Sequence, residues 1–254
     1  MHDTGPVRRP RRRWLRRALV ALALVAGATA VLLALAWVAL PDVGDARDRV
    51  DALLAARHGR PAHLGPGAPV SRSAVAVEDQ RFWSHHGVDP HSLARVLVAA
   101  VDGRGGDPGG STIPQQLAKL LYTGDRHDPL GKLEQVGLAV KLSARWPRAD
   151  ILAMYLDAAY YGHGYWGVAS ASHGYFHAAP QRLGWAEASL LAGLVQAPSA
   201  YEPTSHFSAA RRRQRHVLDR LVATGALTGP RADAAYDTLG RRARRLGFRT
   251  VAAG

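Results

Sequence analysis

Residues 75–89, VAVEDQRFWSHHGVD, bring an acidic pair, two bulky aromatic side chains and two histidines into one short stretch. On a helix predicted over residues 72–85, Glu78, Phe82 and His85 are spaced i, i+4 and i+7 and share one face. A carboxylate held beside aromatic rings loses hydration, which raises its pKa and suits it to general acid or base catalysis. A buried structural salt bridge would explain the same carboxylate equally well.

Residues 106–122, GDPGGSTIPQQLAKLLY, join a glycine-rich turn to a helix that carries hydroxyl, amide and ammonium groups. The glycines let backbone N–H groups approach a ligand, and Ser111 or Thr112 would cap a helix whose first turn favours an anion. Two adjacent glutamines and Lys119 add neutral donors and one positive charge. The set suits a sugar next to a phosphate, and a capped helix with a solvated polar face is the alternative.

These two stretches carry a specific resemblance. EDQRFWSHHGVD is similar to the EDxxFxxHxGxD signature of the family 51 peptidoglycan glycosyltransferases, and GGSTIPQQLAK is similar to their GGSTITQQLxK signature. Residues 148–176, 185–203 and 211–221 resemble the later blocks of the same family. The blocks follow the family's order and spacing over roughly residues 70–222, which is far more than one chance motif.

The resemblance implies a lysozyme-like, all-α domain that polymerises lipid II, a disaccharide-pentapeptide on undecaprenyl pyrophosphate. Glu78 matches the catalytic glutamate, which takes the proton from the 4-hydroxyl of the acceptor GlcNAc as that oxygen attacks the anomeric carbon of the donor MurNAc. The bond formed is β-1,4, the configuration is inverted, and the lipid pyrophosphate leaves. Asp79 and His85 match motif positions and are expected to orient Glu78 or to support the fold.

The departing pyrophosphate accumulates negative charge, so cations must surround it. By match to the family motifs, Lys119 is the first candidate, and Arg126, Lys132 and Arg148 are weaker ones. The other motif residues expected at the substrate are Phe82, Ser111, Thr112, Gln115 and Gln116. We expect no obligatory cofactor, and Mg²⁺ or Mn²⁺ bridging the pyrophosphate is an alternative that the resemblance leaves open. The scattered histidines form no metal-ligand pattern.

One departure from the family concerns a second functional acid. Where the family has RKxxE, this chain has GKLEQ, which puts Gln135 at the position of the glutamate and Glu134 beside it. Neighbouring residues on a helix are about 100° apart, so Glu134 cannot take that place without a local adjustment. Smaller departures are Leu120, Pro147 and Asp157. An active subgroup and a non-catalytic, lipid II-binding scaffold would both show such changes.

The N-terminal region predicts a membrane anchor. Seven arginines against Asp3 give residues 1–17 a charge of +6, nearly half of the total of +13, and residues 18–40 that follow contain no charge. Twenty-three residues reach about 34 Å as a helix, enough to cross a bilayer core. The arginines place the N-terminus in the cytoplasm and the rest of the chain outside. A cleaved signal peptide, with a faint twin-arginine pattern, is the alternative.

Beyond the anchor, the pattern predicts helix after helix and no β-alternating runs. The predicted helices cover residues 72–85, 91–102, 112–122, 131–145, 148–158, 167–176, 185–195, 208–224 and 230–245, with Ser71 or Ser73 as the first cap. Residues 91–108 would form either a flap resting on the bilayer or an ordinary core helix followed by a surface loop. The expected organisation is a cytoplasmic tail (1–17), a transmembrane helix (18–40), a stalk (41–70), the glycosyltransferase domain (71–225) and a C-terminal helical tail (226–254).

Several classes of function are disfavoured. The absence of cysteine excludes a disulfide framework and a thiolate nucleophile. The serine and KTG signatures of penicillin-binding transpeptidases are missing from the 254 residues, which predicts a monofunctional enzyme whose products are cross-linked by other wall-synthesis proteins. Nucleic-acid binding is disfavoured by the position of the basic tail before a membrane helix. A lysozyme-like lytic enzyme would share the fold, but the GGSTxxQQ block favours polymerisation.

Overall fold

The computed structural model describes residues 11–92, 94, 110–124, 126 and 128–248. Over these residues the chain is helical and has no β-strand, and one isolated antiparallel bridge joins Tyr160 to Trp166. The all-α prediction is therefore confirmed. Two compact units are present, Met1–Pro41 and Asp42–Gly254.

The first unit consists of helix α1, Arg11–Ala39. Within it, Trp14–Ala39 has a mean hydropathy of 2.6, and its leucines and valines are exposed. By length and composition this helix can cross a membrane, a test that an N-terminal signal sequence also passes. The predicted transmembrane segment, residues 18–40, lies almost entirely within it.

The α-helices of the second unit whose bounds the structure describes are numbered here in chain order. They are α2 (Ala46–Ala56), α3 (Pro69–Glu78), α4 (Ile113–Ala118), α5 (Pro129–Arg145), α6 (Arg148–Ala158), α7 (Val168–Phe176), α8 (Trp185–Leu194), α9 (Phe207–Ala223) and α10 (Gly229–Arg242). A π-helical turn, Lys119–Thr123, continues α4, and a 3₁₀ turn, Pro180–Arg182, precedes α8.

Helix α8 is at the centre of one half of the core. Every residue from Ala186 to Leu194 is buried, because α3 packs on one side of the helix and α9 and α10 on others. Such a helix needs no polar face, and its sequence, AEASLLAGL, is almost entirely small or apolar. Gly193 lets α9 approach closely, since a Cβ there would lie 3.0 Å from Cγ of Arg213.

The other half of the core contains α4, α5 and α6. Helix α4 packs against both of its neighbours through Ile113, Leu117 and Ala118, which are fully buried. Leu138 and Leu142 of α5 are also fully buried. The end of α3 and the start of α4 meet between the two halves, and that junction contains the acid predicted to be catalytic.

Residues 41–70 were predicted to form a stalk, but residues 42–70 belong to the second compact unit. Helix α2 buries Ala46, Val50 and Leu54 and packs against α6. Further along, the backbone N–H of Ala62 donates to Oδ1 of Asp157 at 2.9 Å. The segment therefore belongs to the globule, because its apolar helix face and one backbone donor find partners there.

Residues 226–254 were predicted to form a C-terminal helical tail. Their described part, residues 226–248, contains helix α10 and packs into the same unit. Helix α10 buries Ala232, Ala235 and Leu239 against α8 and α9. Arg242 at its end forms an ion pair with the buried carboxylate of Glu187. This helix is part of the same packed unit.

The first predicted helix, residues 72–85, also differs from the structure. Helix α3 ends at Glu78, because Asp79 leaves the helical region with φ −155° and turns its carboxylate towards other elements. Ala68 precedes the helix with Pro69 at its first position, and Ser71 and Ser73 are buried inside it instead of capping it. The predicted helices from residue 112 onward agree with the structure to within about three residues. Most of the predicted helix over residues 91–102, and of the predicted flap over residues 91–108, lies outside the described residues.

Candidate active site

Glu78 is the last residue of α3, and its side chain is only 13% exposed. Its Oε2 accepts a hydrogen bond from Nε2 of Gln116 at 3.0 Å, and its Oε1 lies 3.4 Å from a guanidinium nitrogen of Arg213. Burial raises the pKa of Glu78 above its ordinary value, while Gln116 and Arg213 partly oppose the rise. The group is therefore a desolvated carboxylate that is still held in place by two donors.

The amide of Gln116 has a fixed orientation. The hydroxyl of Tyr155 on α6 donates to its Oε1 at 2.9 Å, which leaves the NH₂ group to face Glu78. An amide has one accepting and one donating end, so the tyrosine decides which end the glutamate meets. Tyr155 is fully buried and was not among the predicted site residues.

Asp79 and His85 form the support beneath Glu78. Nε2 of His85 lies 2.9 Å from both carboxylate oxygens of Asp79, which also accepts from the backbone N–H of Ile113 at 3.0 Å. Since a carboxylate only accepts, Nε2 of His85 carries the proton. These contacts fasten the turn after α3 to the first residue of α4, as the predicted supporting role requires.

Arg148 is part of the same support. Its guanidinium donates to the backbone oxygen of His85, with the shorter distance being 2.7 Å. Phe82 is likewise buried at 1% exposure and lies edge-on to Trp83. Both were predicted to bind substrate. In the structure both hold the turn of residues 79–89, and neither lines the hollows described below.

Thr112 and Gln115 form the N-terminal cap of α4. The hydroxyl of Thr112 accepts from the N–H of Gln115, whose side-chain oxygen accepts from the N–H of Thr112, so that a full capping box is present. The same hydroxyl donates to the backbone oxygen of Gly87 at 2.6 Å. These predicted substrate residues therefore already have structural partners, although both border the hollows described next.

A cleft of about 610 Å³, called here the main cleft, opens beside Glu78. Helices α3, α4, α6 and α9 and the segment after α8 provide its walls. The lining residues are Val77, Glu78, Ser111, Gln116, Lys119, Leu120, Tyr155, Ala159, Tyr160, Val195, Gln196, Pro198, Arg213 and His216. The predicted residues Glu78, Ser111, Gln116 and Lys119 thus meet at one surface.

A second hollow of about 320 Å³ adjoins the main cleft and is called the cation pocket. Its lining residues are Ser111, Gln115, Gln116, Lys119, Arg126, Lys132 and Gln135. Nζ of Lys132 donates to Oγ of Ser111 at 2.7 Å, which joins α5 to the residue before the cap of α4. Lys119 begins the π-helical turn, an irregular element that often marks functional positions. Three cations therefore line one side of the approach to Glu78.

Gln135 stands where the family has its second acid, and Glu134 is its neighbour in sequence; the structure gives the contacts of both. Gln135 is buried, borders the cation pocket and donates from Nε2 to Oγ1 of Thr123 at 3.2 Å. Glu134 does not border that pocket and instead pairs with Arg126 at 2.8 Å. Glu134 therefore does not replace the glutamate expected at position 135.

The cation pocket does not fit a divalent ion held by protein side chains. Mg²⁺ and Mn²⁺ prefer carboxylate and other oxygen ligands, whereas this pocket offers ammonium, guanidinium, amide and hydroxyl groups. Over the residues that the structure describes, no group of three or more histidine, aspartate or glutamate side chains is placed to hold a metal ion.

Two further cleft residues that the sequence analysis missed, besides Tyr155, are Arg213 and His216. They lie on α9, within RRRQRHVLDRL, one of the blocks that carried the family resemblance. In a chain so rich in arginine, composition cannot select one guanidinium from another. The signal that identifies Arg213 is its burial, since only 12% of its side chain is exposed.

Comparisons with known proteins identify relatives of this chain. A family model described as Transglycosylase matches residues 64–222, more than half of the chain. The chain is 35% identical over 163 residues to penicillin-binding protein 1F of Bacillus subtilis (strain 168), covering 64% of this chain and 23% of that protein. It is 31% identical over 243 residues to penicillin-binding protein 1A of Mycolicibacterium smegmatis, covering 87% of this chain and 31% of that protein.

A third relative is penicillin-binding protein 1A of Neisseria gonorrhoeae, 37% identical over 175 residues, which covers 68% of this chain and 22% of that protein. The chain thus spans less than a third of the length of these relatives. The matched residues contain the motif blocks, the cation pocket and Glu78. The chain therefore belongs to the transglycosylase family, the family 51 glycosyltransferases that its motifs resemble.

Proposed function

We propose that this chain is a peptidoglycan glycosyltransferase that polymerises lipid II into β-1,4-linked glycan and releases undecaprenyl pyrophosphate. The observation that carries the proposal is the position of Glu78, a buried carboxylate that lines the main cleft, which adjoins a pocket lined by three cations. The relatives are named as penicillin-binding proteins, and the family model covers the residues that form both hollows.

In this proposal Glu78 is the general base. Its raised pKa strengthens it as a proton acceptor, so it can take the proton of the acceptor's 4-hydroxyl as that oxygen attacks the donor's anomeric carbon. Gln116 and Arg213 position the carboxylate before substrate arrives. The proton ends on Glu78, the new glycosidic bond forms on the face opposite the leaving group, and the anomeric configuration inverts.

The cation pocket would receive the leaving group. Bond breaking leaves negative charge on the pyrophosphate, and Lys119, Lys132 and Arg126 provide positive charge that is already in place. Ser111 and Gln116 add neutral hydrogen-bonding groups where the pocket joins the main cleft. This arrangement supports a phosphorylated donor in preference to a neutral polysaccharide.

The location follows from α1. We propose that this helix is a retained membrane anchor with its arginine-rich N-terminus in the cytoplasm and the helical domain on the outer face, where lipid-linked substrate is presented. Transpeptidase activity is not proposed, since the 254 residues contain neither SxxK nor KTG. Cross-linking would then need other wall-synthesis proteins as partners.

The alternative is a lipid II-binding scaffold without catalysis. Gln135 is the observation that favours it, because the family carries an acid at that position and this chain has a buried amide. Under this alternative the hollows would bind lipid II without polymerising it, so no glycan would form whether or not Glu78 is replaced.

The deciding experiment is polymerisation of labelled lipid II by the detergent-solubilised full chain, beside Glu78→Gln and the surface control Asp233→Asn. We expect glycan from the parent and the control, and a loss of about 10²-fold or more in Glu78→Gln, the range for removing a general base. Lipid II that is bound by the parent but never polymerised would favour the scaffold.

A further inference from the structure

A hollow of about 460 Å³, called here the α7 pocket, is separate from the candidate active site. The main cleft, the cation pocket and a further hollow of about 250 Å³ all have Ser111 as a lining residue, and the last also borders Glu78 and Thr112. Among the described residues, none that lines the α7 pocket lines any of those three. The proposed reaction therefore does not account for this pocket.

The α7 pocket has hydrogen-bond donors on two walls. Its polar side chains are those of His58, Arg60, Ser170, His173 and Gln181. His58 and Arg60 come from the segment after α2, whereas Ser170 and His173 are spaced i, i+3 on α7 and share one face. The other described lining residues are prolines and alanines, so no acid is among them. One permanent positive charge and several neutral donors thus meet in an otherwise apolar hollow.

These donors are available to a ligand. Within the part of the chain that the structure describes, four of the side chains make no hydrogen bond or ion pair: His58, Arg60, Ser170 and His173. The acid bonded to this segment, Asp157, is 2% exposed and is already occupied by the N–H of Ala62 and by Arg47. No described carboxylate of the pocket neutralises the guanidinium, which favours an anionic ligand.

The walls of the α7 pocket are held in place by the protein itself. Both backbone groups of Ala62 are bound, its N–H to Oδ1 of Asp157 at 2.9 Å and its oxygen to Nε2 of Gln181 at 2.5 Å. Oγ of Ser172 donates to the backbone oxygen of Ala178 at 2.6 Å, which holds the chain after α7. A pocket that is already ordered loses less conformational entropy when a ligand binds.

His58 occupies a backbone position that normally favours glycine. Its φ is +55°, and its N–H donates to the oxygen of Ala55 while the N–H of Gly59 donates to the oxygen of Leu54. These two bonds form a Schellman motif, whose left-handed residue is most often glycine because a side chain is disfavoured there. The chain instead has an imidazole at this position, and the imidazole lines the α7 pocket. Such strain is characteristic of functional positions.

The chemistry of the α7 pocket favours a phosphate group carried on a sugar. A carboxylate has two oxygens in one plane, whereas a phosphate presents oxygens in several directions and suits donors from two walls. A volume of about 460 Å³ is in the range of small-molecule sites and is more than a phosphate ion fills. A sugar ring combines apolar C–H groups with hydroxyls, which fits the prolines and alanines beside the amide of Gln181.

We propose that the α7 pocket binds a phosphorylated saccharide, with His58, Arg60, Ser170 and His173 around the phosphate. The ligand is either a free sugar phosphate or a phosphodiester unit of a saccharide polymer, which share this chemistry. The inference goes beyond the proposed function and does not depend on it, because among the described residues the pocket shares no lining residue with the hollows around Glu78.

The first experiment is calorimetric titration of the detergent-solubilised full chain. The probes are inorganic phosphate, glucose, glucose 6-phosphate and the methyl phosphodiester of glucose 6-phosphate. We expect the two sugar phosphates to bind more tightly than phosphate or glucose. Tighter binding of the monoester would indicate a free sugar phosphate, and tighter binding of the diester a polymer unit. Sugar phosphates that bind no more tightly than inorganic phosphate would overturn the proposal.

Replacing Arg60 tests whether binding takes place in this pocket. Arg60→Ala should raise the Kd for the sugar phosphate about tenfold or more, as for loss of a charge-assisted hydrogen bond, and should leave lipid II polymerisation unchanged. Arg182→Ala is the matched control, since Arg182 is exposed and follows Gln181 without lining the pocket. Equal effects of the two substitutions would mean general charge attraction and would reject the site.

His58→Gly separates ligand binding from folding. Glycine relieves the left-handed strain, so thermal unfolding should occur at the same or a higher temperature while the Kd for the sugar phosphate rises. A variant that unfolds at a lower temperature but binds as the parent does would show that His58 serves the fold, and would overturn its place in the site.

Lys119→Ala distinguishes the α7 pocket from the cation pocket, which would also attract phosphate. Binding that disappears in Lys119→Ala but persists in Arg60→Ala would belong to the cation pocket and would reject the present inference. If the parent makes no glycan but still binds sugar phosphate in an Arg60-dependent way, the proposed function fails and the α7 site stands.

Discussion

At the scale of single residues, opposing influences set the pKa of Glu78. Burial raises its pKa, and the amide of Gln116 and the charge of Arg213 lower it again. A base that is too weak accepts no proton, and one that is too strong is already protonated. The two partners therefore set the balance, and the pH dependence of the reaction should report on them.

Replacing Arg213 with Gln removes the positive charge and should raise the pKa of Glu78 further. The base acts only when deprotonated, so the acid limb of the profile of kcat/KM against pH should move to higher pH. Gln116→Leu should move the limb in the same direction, because it removes a hydrogen bond that stabilises the carboxylate. Arg212→Gln, an exposed neighbour on α9, is the control. An acid limb that does not move would mean that another group controls it.

Gln135 tests whether the absent acid limits this enzyme. In Gln135→Glu a buried carboxylate would enter the cation pocket and cancel part of the charge from Lys119 and Lys132. We expect the KM for the donor to rise several-fold at low salt, on the order of 1 kcal/mol of lost attraction. The measurement is donor-varied kinetics at two ionic strengths. A higher kcat instead would show that the missing acid had limited the rate.

At the scale of elements, the turn after α3 determines where Glu78 points. Gly87 lies in this turn with φ +94°, and an added Cβ would come within 2.5 Å of the backbone oxygen of Ala139 on α5. Its own carbonyl accepts from Thr112 at the cap of α4. One glycine thus allows α3, α4 and α5 to meet.

Gly87→Ala should destabilise the domain, since the left-handed φ disfavours a side chain and the neighbour in the way is backbone. We expect a loss of at least about 2 kcal/mol in the free energy of unfolding, from strain and overpacking together. Urea unfolding followed by tryptophan fluorescence measures the change. Gly67→Ala is the matched control, because nothing lies within 4 Å of its added Cβ. Equal stability of the two variants would contradict the turn's role.

At the scale of the whole molecule, Asp157 joins the segment before α3 to α6. It is 2% exposed, accepts from the N–H of Ala62, and lies 3.9 Å from Arg47. Burial raises its pKa from 3.8 to about 6, against the opposing effects of Ala62 and Arg47. The folded state therefore holds this proton more tightly than the unfolded chain does, so the group's contribution to stability is present below pH 3.8 and is lost as the pH rises through 6.

Asp157→Asn should therefore stabilise the protein at neutral pH, because asparagine keeps the acceptor for Ala62 without a buried charge. A shift of about two pKa units corresponds to roughly 2 to 3 kcal/mol. The gain should be greatest above pH 6 and should vanish near pH 4. Thermal unfolding of parent and variant across this range measures it. A gain that is the same at every pH would point to packing instead of ionisation.

Much of this protein is determined by its sequence alone. The apolar run of α1, the all-α pattern and the two motif stretches are local properties, since a hydrophobic period or a short motif is complete within one segment. For that reason the limits of α6 match the prediction, and two motifs predict Glu78, Ser111, Gln116 and Lys119, which line one cleft.

The tertiary structure decided what each motif residue does. Helix α3 ends at Glu78 because Asp79 finds partners on α4 and at His85, and the guanidinium of Arg148 donates to the backbone oxygen of His85. Ala62, in the segment between α2 and α3, contacts the globule through Asp157, 95 residues further along the chain. Arg213 becomes a site residue only because α9 packs against α3 and α8. Such contacts join residues distant in sequence, so local periodicity cannot encode them, and only packing of the whole chain selects one partner from many.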